Sequence, residues 1–369
     1  SGLVGSEMCI RDSAYLEEFE AQNGSQAFLN AMQNYPLLKG SQTNLYKCFL
    51  PQAWRVASEH GAQGLLHLNG IYDDPKGGAL REVLYKRLRL HAQFENAFIL
   101  FPIGNSRRFC LSIGSTKKTE PSFTTIANLF APKTIDLCFS SDSTSRALGI
   151  KDDSGAWETR GNHSRLVQVH VETLQLFARL YDEPGTPARQ ARLPALHSQQ
   201  LKSVLEKFAA APERLGDLQG EYIALEMWHE TNAQKDGTIR RNTSFPPDAS
   251  ELILSGPLFN VANPLYQTPK AICNTNRAYD CLDLTTLSDD YLPRSNYRPD
   301  VSPTEYRART PRVPWGEKKP STELYGLTGR RMLSQSGERT LITALQPTAS
   351  AHINTAITYY LSSQERLLS

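Results

Sequence analysis

In the stretch GLLHLNGIYDDPKGGALREVLYKRL, residues 64–88, a strand pattern passes directly into a helix pattern. Residues 64–68 form a short apolar run that ends in Asn69-Gly70, which predicts a buried strand entering a turn. Three leucines between residues 80 and 88 recur every four residues and predict a helix whose opposite face holds arginines. A strand followed at once by a helix is the building unit of an α/β sheet.

The segments on either side extend this alternation. Residues 43–60 carry apolar side chains at helical spacing, with Pro51 predicting a kink and Gly61 a C-terminal cap. Residues 97–101 and 107–113 are strand-like runs joined by five residues, so we expect antiparallel neighbours. This order of helix, strand, helix and hairpin indicates an α/β fold, as the second half of a doubly wound sheet with a reversed last strand.

The rest of the chain is organised differently. Residues 167–181 and 198–210 are predicted helices and form a helical connector. From residue 221 onward, short strands, turns and prolines dominate, and Asp236-Gly237 predicts a hairpin turn between strand-like flanks. Six prolines between residues 293 and 320 argue against regular structure there. We expect that stretch to wrap over a surface or to be disordered.

The composition is that of a soluble globular protein with two or three domains, at 369 residues, 40% hydrophobic and 21% charged. No run approaches the roughly 18 to 20 apolar residues that a membrane span needs, so we expect no membrane association. The six cysteines form no CxxC pair and indicate neither a zinc ribbon nor a disulfide framework. A cytoplasmic location fits best.

Positive charge is concentrated in two places although the net charge is only +2. Residues 76–118 contain nine basic and two acidic side chains, and residues 294–319 contain seven basic and three acidic ones. Such local surpluses are typical of phosphate-binding surfaces, and ordinary solvated surface is the alternative.

Motifs for several enzyme classes are incomplete. The chain contains no G-x-G and no Gly-Lys, so the dinucleotide fingerprint and the P-loop are absent. His229-Glu230 begins like a zincin helix, but Ala233 stands where the second histidine is needed. Paired aspartates such as Asp73-Asp74 could ligate a metal, although such pairs more often cap helices or solvate loops. We therefore expect no metal site.

Several stretches together resemble one family, the large adenine-specific DNA methyltransferases of type IIG-like restriction and phage-defence systems. NLYKCFLPQAWRV (residues 44–56), residues 64–88 and FILFPIGNSRRFCLSIGS (residues 98–115) resemble the carboxyl-terminal half of a Rossmann-like methyltransferase domain. Residues 221–355, including NPLYQTPKAICNTNRAYDCLDLT and DDYLPRSNYRPD, resemble the target-recognition region of the same proteins. Together the two matches cover about two thirds of the chain.

The resemblance implies a division of the chain. Residues 1–13 resemble translated adapter sequence, 14–145 part of the catalytic domain, 146–220 the helical connector and 221–369 a mixed α+β target-recognition domain. The family's glycine-rich S-adenosylmethionine motif and its Asn-Pro-Pro-aromatic motif lie upstream of what this chain contains. Asn263-Pro264-Leu265-Tyr266 lacks the second proline, and we interpret it as a turn beside a strand. We therefore expect a fragment of a larger protein that binds DNA but methylates nothing.

The implied reaction is methyl transfer from S-adenosylmethionine to adenine N6, and a base in duplex DNA must be flipped out to reach such a site. Because ligands bind at the carboxyl ends of strands in these sheets, we expect Asn69, Asp73, Asp74 and Ser106 to rim the pocket. Phe101 could stack on the flipped base, or it could be a core aromatic at the end of a strand. Since Arg107 and Arg108 are adjacent on a strand, at most one should reach the pocket mouth.

Double-stranded DNA is the expected partner, together with other subunits of the restriction or defence system. Arginine and lysine read guanine or grip phosphate, whereas glutamine and asparagine read adenine. The expected contacts, besides Arg107 and Arg108, are Gln234, Lys235, Arg240, Arg241, Lys270, Arg294, Arg298, Arg307, Arg309 and Arg312. Tyr291, Tyr297, Tyr306 and Trp315 lie between these arginines, either to contact DNA or to pack a proline-rich arm onto its own domain.

Two other functions remain open. The first is a free-standing specificity protein that supplies target recognition to a separate catalytic subunit; it should fold stably alone, whereas a fragment should expose an apolar sheet edge. The second is a metal-dependent nuclease built on an acidic pair.

Overall fold

The computed structural model describes residues 2–142, 148–260, 263–264, 266–275, 277–333 and 341–368. It divides the chain into two units, Ser1–Ala211 and Pro212–Ser369. Of the predicted connector, residues 148–211 lie in the first unit and residues 212–220 in the second.

The first unit alternates helices and strands. Its helices are α1 (Gly2–Asn30), α2 (Leu45–Val56), α3 (Gly70–Asp73), α4 (Gly78–Arg87), α5 (Lys133–Ser140), α6 (Val171–Tyr181) and α7 (Gln199–Ala209). Its strands are β1 (Gln63–Leu68), β2 (Leu88–Glu95), β3 (Arg108–Gly114), β4 (Ser122–Leu129) and β5 (Val167–His170). Residues 2–13, whose sequence lacks a helical period, lie in α1.

The five strands form one mixed sheet in the order β1-β3-β2-β4-β5. The reversed strand β3 lies between β1 and β2 and is antiparallel to both, so β1 and β2 run in the same direction. Strand β4 is parallel to β2, and β5 is antiparallel to β4. The prediction of an α/β fold with parallel strands is confirmed.

Helices cover both faces of this sheet. On one face, α2, α4 and α6 bury Leu50, Leu84 and Phe177 against strand residues such as Phe123 and Val169. On the other face, α5 packs its Cys138 against a second cluster from β2, β3 and β4, which includes Phe94, Phe109 and Ile126. This second face is incompletely covered at its β1 end, where Leu66 and Leu68 are 52% and 42% exposed.

The first strand of the predicted hairpin lies earlier than expected. Residues 97–101 are not a strand; the strand that precedes β3 along the chain and pairs with it is β2, in which Leu88, Leu90, Ala92 and Phe94 alternate with polar residues. This alternation has the strand period of two, but Leu88 also fits the leucine spacing of the preceding helix. The prediction of antiparallel neighbours is confirmed, with the first strand displaced.

The second unit is built from short strands. Its helices are α8 (Glu230–Lys235), α9 (Pro303–Arg309) and α10 (Gln364–Leu368). Its strands are β6 (Tyr222–Leu225), β7 (Ile239–Ser244), β8 (Ile253–Leu254), β9 (Phe259–Asn260), β10 (Asn263–Pro264), β11 (Gln267–Pro269), β12 (Tyr279–Cys281), β13 (Ser295–Pro299), β14 (Gly326–Arg330), β15 (Thr343–Gln346), β16 (Ala351–His352) and β17 (Ala356–Leu361). The largest sheet has the order β15-β14-β17-β6 and is antiparallel throughout.

Two predictions for this unit are wrong. Asp236-Gly237 connects α8 to β7 rather than two strands, and β7 pairs with β13 instead. Gly237 takes the left-handed conformation with φ of 74° because it ends a helix, a role that a turn signal alone does not distinguish. The proline-rich stretch contains both β13 and α9, since Pro299 ends a strand and Pro303 begins a helix, where its missing N–H costs nothing.

Among the described residues, no helix combines the length and apolar character that crossing a bilayer requires.

Candidate functional site

A cavity of about 700 Å³ opens in the first unit where β1 ends, and we name it the β1 cavity. Strand β3 runs opposite to β1, so its first residue, Arg108, lies at this same edge of the sheet. The residues that line the cavity are Gly40, Gln42, Thr43, Asn44, Tyr46, Lys47, Leu68, Gly70, Asp74, Lys76, Ser106, Arg107 and Arg108. Four of them are cationic and one is acidic.

Two of the four cations are neutralised locally. Lys47 Nζ donates to Asp74 Oδ2 at 2.8 Å, and Arg108 Nε donates to Glu95 Oε1 at 2.7 Å. Desolvation raises the pKa of Asp74, but the hydrogen bonds from the Lys47 side chain and the Lys76 N–H, together with the nearby positive charges, outweigh it and lower the pKa below its usual value. Lys76 and Arg107 are exposed and form no ion pair within the part of the chain that the structure describes. The cavity therefore has an uncompensated positive charge.

The predicted rim residues separate into two groups. Asp74 and Ser106 line the cavity, as expected from their positions after strand ends. Asn69 does not; it is buried behind the cavity, where its Nδ2 donates to Asp73 Oδ2 at 3.1 Å. Asp73 also does not line the cavity. The prediction that Arg107 and Arg108 could not both reach the pocket is wrong, because Arg107 precedes β3 and is free of the strand's alternation.

A buried polar network supports this edge of the sheet. His91 Nε2 lies 3.1 Å from Asn69 Oδ1, and because an amide oxygen only accepts, the ring nitrogen donates. His91 Nδ1 then accepts from Thr125 Oγ1 at 2.9 Å. Burial of the imidazole lowers the pKa of His91 to about 3. The histidine is therefore neutral in the folded protein at physiological pH.

The neutral state of His91 makes stability depend on pH. In the unfolded chain a histidine has a pKa of about 6.5, so below that pH the unfolded state binds a proton that the folded state does not. We expect this group to remove about 2 kcal/mol of the free energy of unfolding between pH 7 and pH 5. Urea unfolding of the natural chain and of His91→Gln at both pH values measures the difference. Equal losses in the two proteins would contradict the assignment.

An exposed loop borders the same edge, and we name residues 98–103 the apolar loop. Its exposed apolar side chains include Phe98 and Ile99, at 50% and 65%, and also Leu100, Phe101 and Ile103. Phe101 does not line the β1 cavity; it packs edge-on against Phe109 with ring centroids 4.9 Å apart. The aromatic residue that lines the cavity is Tyr46, which the sequence did not indicate.

The apolar loop is fixed by one buried side chain. Asn96 Nδ2 donates to the carbonyls of Phe101 and Ile103 at 3.0 and 2.9 Å, and its Oδ1 accepts from the Phe101 N–H at 3.2 Å. Ile99 has φ of 52° and ψ of 48°, a left-handed conformation that costs a β-branched residue on the order of 1–3 kcal/mol. Such strain is found most often at functional sites.

The second unit has its own cavity of about 700 Å³. Arg240 and Arg307 line it together with Tyr306, Glu251 and Glu323. Both arginines are paired there, Arg240 with Asp300 at 3.4 Å and Arg307 with Glu323. This cavity is therefore closer to charge balance than the β1 cavity.

One predicted DNA contact, Arg298, is a structural residue. It is 3% exposed, and its guanidinium donates to Ser295 Oγ at 2.7 Å, to the Glu251 carbonyl at 3.2 Å and to the Ser244 carbonyl. DNA cannot reach it. Arg294 is half-buried, with its guanidinium 4.5 Å from the Phe245 ring centroid. The remaining predicted contacts of this unit are exposed: Gln234, Lys235, Arg240, Arg241, Lys270, Arg307, Arg309 and Arg312.

The tyrosines between these arginines favour packing within the unit. Tyr297 and Tyr306 are buried in a cluster with Trp228 and Ile239. Tyr306 Oη accepts from Trp228 Nε1 at 2.8 Å, and Tyr297 donates to Glu230. Of the two interpretations left open, a stretch that packs onto its own domain fits these two residues.

The other candidate motifs give no assembled centre. Across the described residues, no three His, Cys, Asp or Glu side chains are grouped so that they could hold a metal ion. Part of Asn263-Pro264-Leu265-Tyr266 lies outside the described residues, and so does part of residues 333–345, which belong to the stretch that resembles a target-recognition region. Comparison with models of known families and with curated proteins gave no match to this chain.

Proposed function

We propose that the chain is part of a site-specific DNA adenine-N6 methyltransferase. In this proposal Ser1–Ala211 contributes part of the catalytic domain, and Pro212–Ser369 contributes target recognition. The observation that carries the proposal is the β1 cavity, which Lys76 and Arg107, without an ion-pair partner among the described residues, line together with Tyr46 at the carboxyl end of a strand. That is the edge at which ligands bind in α/β sheets, and the volume is within the range of a nucleotide-sized pocket.

The β1 cavity has groups for both parts of a flipped nucleotide. Lys76 and Arg107 are suited to a phosphate, and their charge would favour a polyanion over a neutral ligand. The Tyr46 ring is already stacked on His67, with centroids 5.6 Å apart, and offers an aromatic surface for a base. Stacking on aromatic side chains is how extruded bases are commonly held.

The sheet supports the methyltransferase over a free-standing specificity protein. The reversed strand β3 between two strands of common direction agrees with the second half of a doubly wound sheet. Strand β1 is outermost, and Leu66 and Leu68 leave the adjoining face of the sheet uncovered, as expected at the edge of an incomplete sheet. In the proposal, further strands of the catalytic domain pair there.

The methyl donor would need a different site. S-adenosylmethionine carries a sulfonium cation, whereas the β1 cavity has four cations and one carboxylate that is already bonded to Lys47. The cavity therefore does not fit the donor, and we assign it to the DNA backbone and a base.

The salt dependence of DNA binding tests this proposal. If the chain neutralises four to six phosphates, the logarithm of the binding constant should fall with the logarithm of salt concentration at a slope of roughly −4 to −5. Fluorescence anisotropy with a labelled duplex measures the slope. In an Arg107→Ala variant the slope should become less negative by about 0.9, since one phosphate contact is lost.

Lys207→Ala provides the matched control for that measurement. Lys207 is exposed on α7 and does not line the β1 cavity, so its loss should leave the slope unchanged. A slope near zero for the natural chain would contradict DNA binding. Equal slopes for Arg107→Ala and the natural chain would place DNA elsewhere on the surface.

A further inference from the structure

We infer that the apolar loop is a wedge that enters the DNA base stack beside the β1 cavity; this inference rests on the proposed function. Five apolar side chains within six consecutive residues are at least one third exposed, which is costly in water unless a ligand covers them. Architectural DNA-binding proteins insert side chains of this kind, such as Phe, Leu and Ile, between base steps.

The loop is built to keep its shape when it meets a ligand. Asn96 is fully buried and bonds to three backbone groups of the loop, so residues 101–103 are held from beneath. Ile99 is the most exposed of the five apolar side chains and lies in the left-handed turn of the loop. A preformed protrusion loses less conformational entropy on insertion than a flexible one.

The position of the loop connects it to the cationic cavity. The loop leaves the sheet after β2 and returns through Ser106 and Arg107, which line the β1 cavity. Phosphate contacts in the cavity would therefore hold a strand next to the point of insertion, and they would offset the cost of unstacking.

The concave cavity favours DNA over a membrane surface as the occupant. A planar bilayer would meet the loop, but a flat surface does not follow the concave wall of the cavity of about 700 Å³ that Arg107 and Lys76 line. A nucleic-acid backbone projects its phosphates and can enter such a space. In this proposal a nucleic acid uses the charge of the cavity and the apolar side chains of the loop together.

Ile99→Asn and Ile99→Leu are the matched variants. Asparagine tolerates the left-handed conformation and removes the apolar tip, whereas leucine keeps the tip. With a duplex that contains 2-aminopurine, we expect the full natural chain and Ile99→Leu to raise the fluorescence several-fold by unstacking. Ile99→Asn should give no rise while its salt slope is unchanged. Phe208→Ser, at an exposed position of α7, should behave as the natural chain.

Mismatched DNA provides a second measurement. A mismatched base costs less to unstack, so the natural chain should bind a mismatched duplex about tenfold or more tightly than a matched one, and Ile99→Asn should lose this preference. If Ile99→Asn fails to fold, Ile99→Gly is the replacement, because glycine suits this backbone.

The outcomes separate the two proposals. DNA binding with a steep salt slope but no fluorescence rise in the natural chain would overturn the wedge and leave the proposed function intact. Absence of salt-dependent DNA binding would overturn both. Binding to vesicles of anionic phospholipid that is lost in Ile99→Asn, with no 2-aminopurine response, would overturn the wedge in favour of a membrane contact.

Discussion

An Arg81→Met variant is expected to lose about 3–5 kcal/mol of the free energy of unfolding of the first unit. Arg81 is 1% exposed, and its guanidinium donates to the backbone carbonyls of Ile71, Asp74 and Gln190 at 3.0, 2.5 and 3.0 Å. Methionine has a similar length but no donor, so three carbonyls would lose their partner in a buried site. The segment that carries Asp74 into the β1 cavity would lose its attachment to α4.

Thermal unfolding followed by circular dichroism measures this loss. For a unit of this size the midpoint should fall by about 10 °C, given roughly 2–4 °C per kcal/mol. Arg55→Met is the control, because Arg55 is exposed on α2 and its change should leave the midpoint within about 2 °C. A fall in Arg81→Met no larger than that of the control would show that the three hydrogen bonds contribute little.

Reversing two charges of the β1 cavity should nearly abolish DNA binding. In the double variant Lys76→Glu/Arg107→Glu two phosphate contacts are replaced by two repulsions. We expect affinity for duplex DNA at about 0.1 M salt to fall on the order of 100-fold, and the salt slope to become less negative by about 2. Anisotropy titrations at several salt concentrations measure both quantities.

A second double variant controls for net charge. Lys133→Glu/Lys207→Glu changes the charge of the whole chain equally, at exposed positions on α5 and α7 outside the β1 cavity. If affinity depends on the cavity, this variant should lose less than about threefold, since only long-range attraction changes. Similar losses in both double variants would instead indicate a general electrostatic attraction without a defined site.

Local periodicity was sufficient to predict β1 and α4 from the sequence. Each is set by side chains close together along the chain, so the apolar run before Asn69 and the leucines of α4 carry the signal themselves. The strand before β3 was predicted at residues 97–101 instead of β2 because Leu88 fits both the helical spacing of α4 and the strand alternation of β2. Only the pairing of β2 with β3 decides between the two. The mixed sheet was therefore predictable in class, while its strand boundaries required tertiary contacts.

The candidate site also contains some residues that the sequence predicts and others that only the folded structure shows. Asp74 and Ser106 were predictable because they follow strand ends. Lys47 was not, because it comes from α2 and meets Asp74 across 27 residues of sequence. Arg298 was misassigned for a related reason: a charged residue in a proline-rich stretch is ordinarily exposed, and its burial depends on carbonyls that β13 meets only after folding.

The amide of Asn96 makes the conformation of the apolar loop independent of the pairing of the strands beneath it. It holds the base of the apolar loop, while the sheet below keeps its register through β2 and β3. Substitutions at positions 98–100 thus act on what the protrusion displays, without changing which strands pair. Evolution or protein engineering can accordingly diversify the tip as an independent module, provided that this one asparagine is retained.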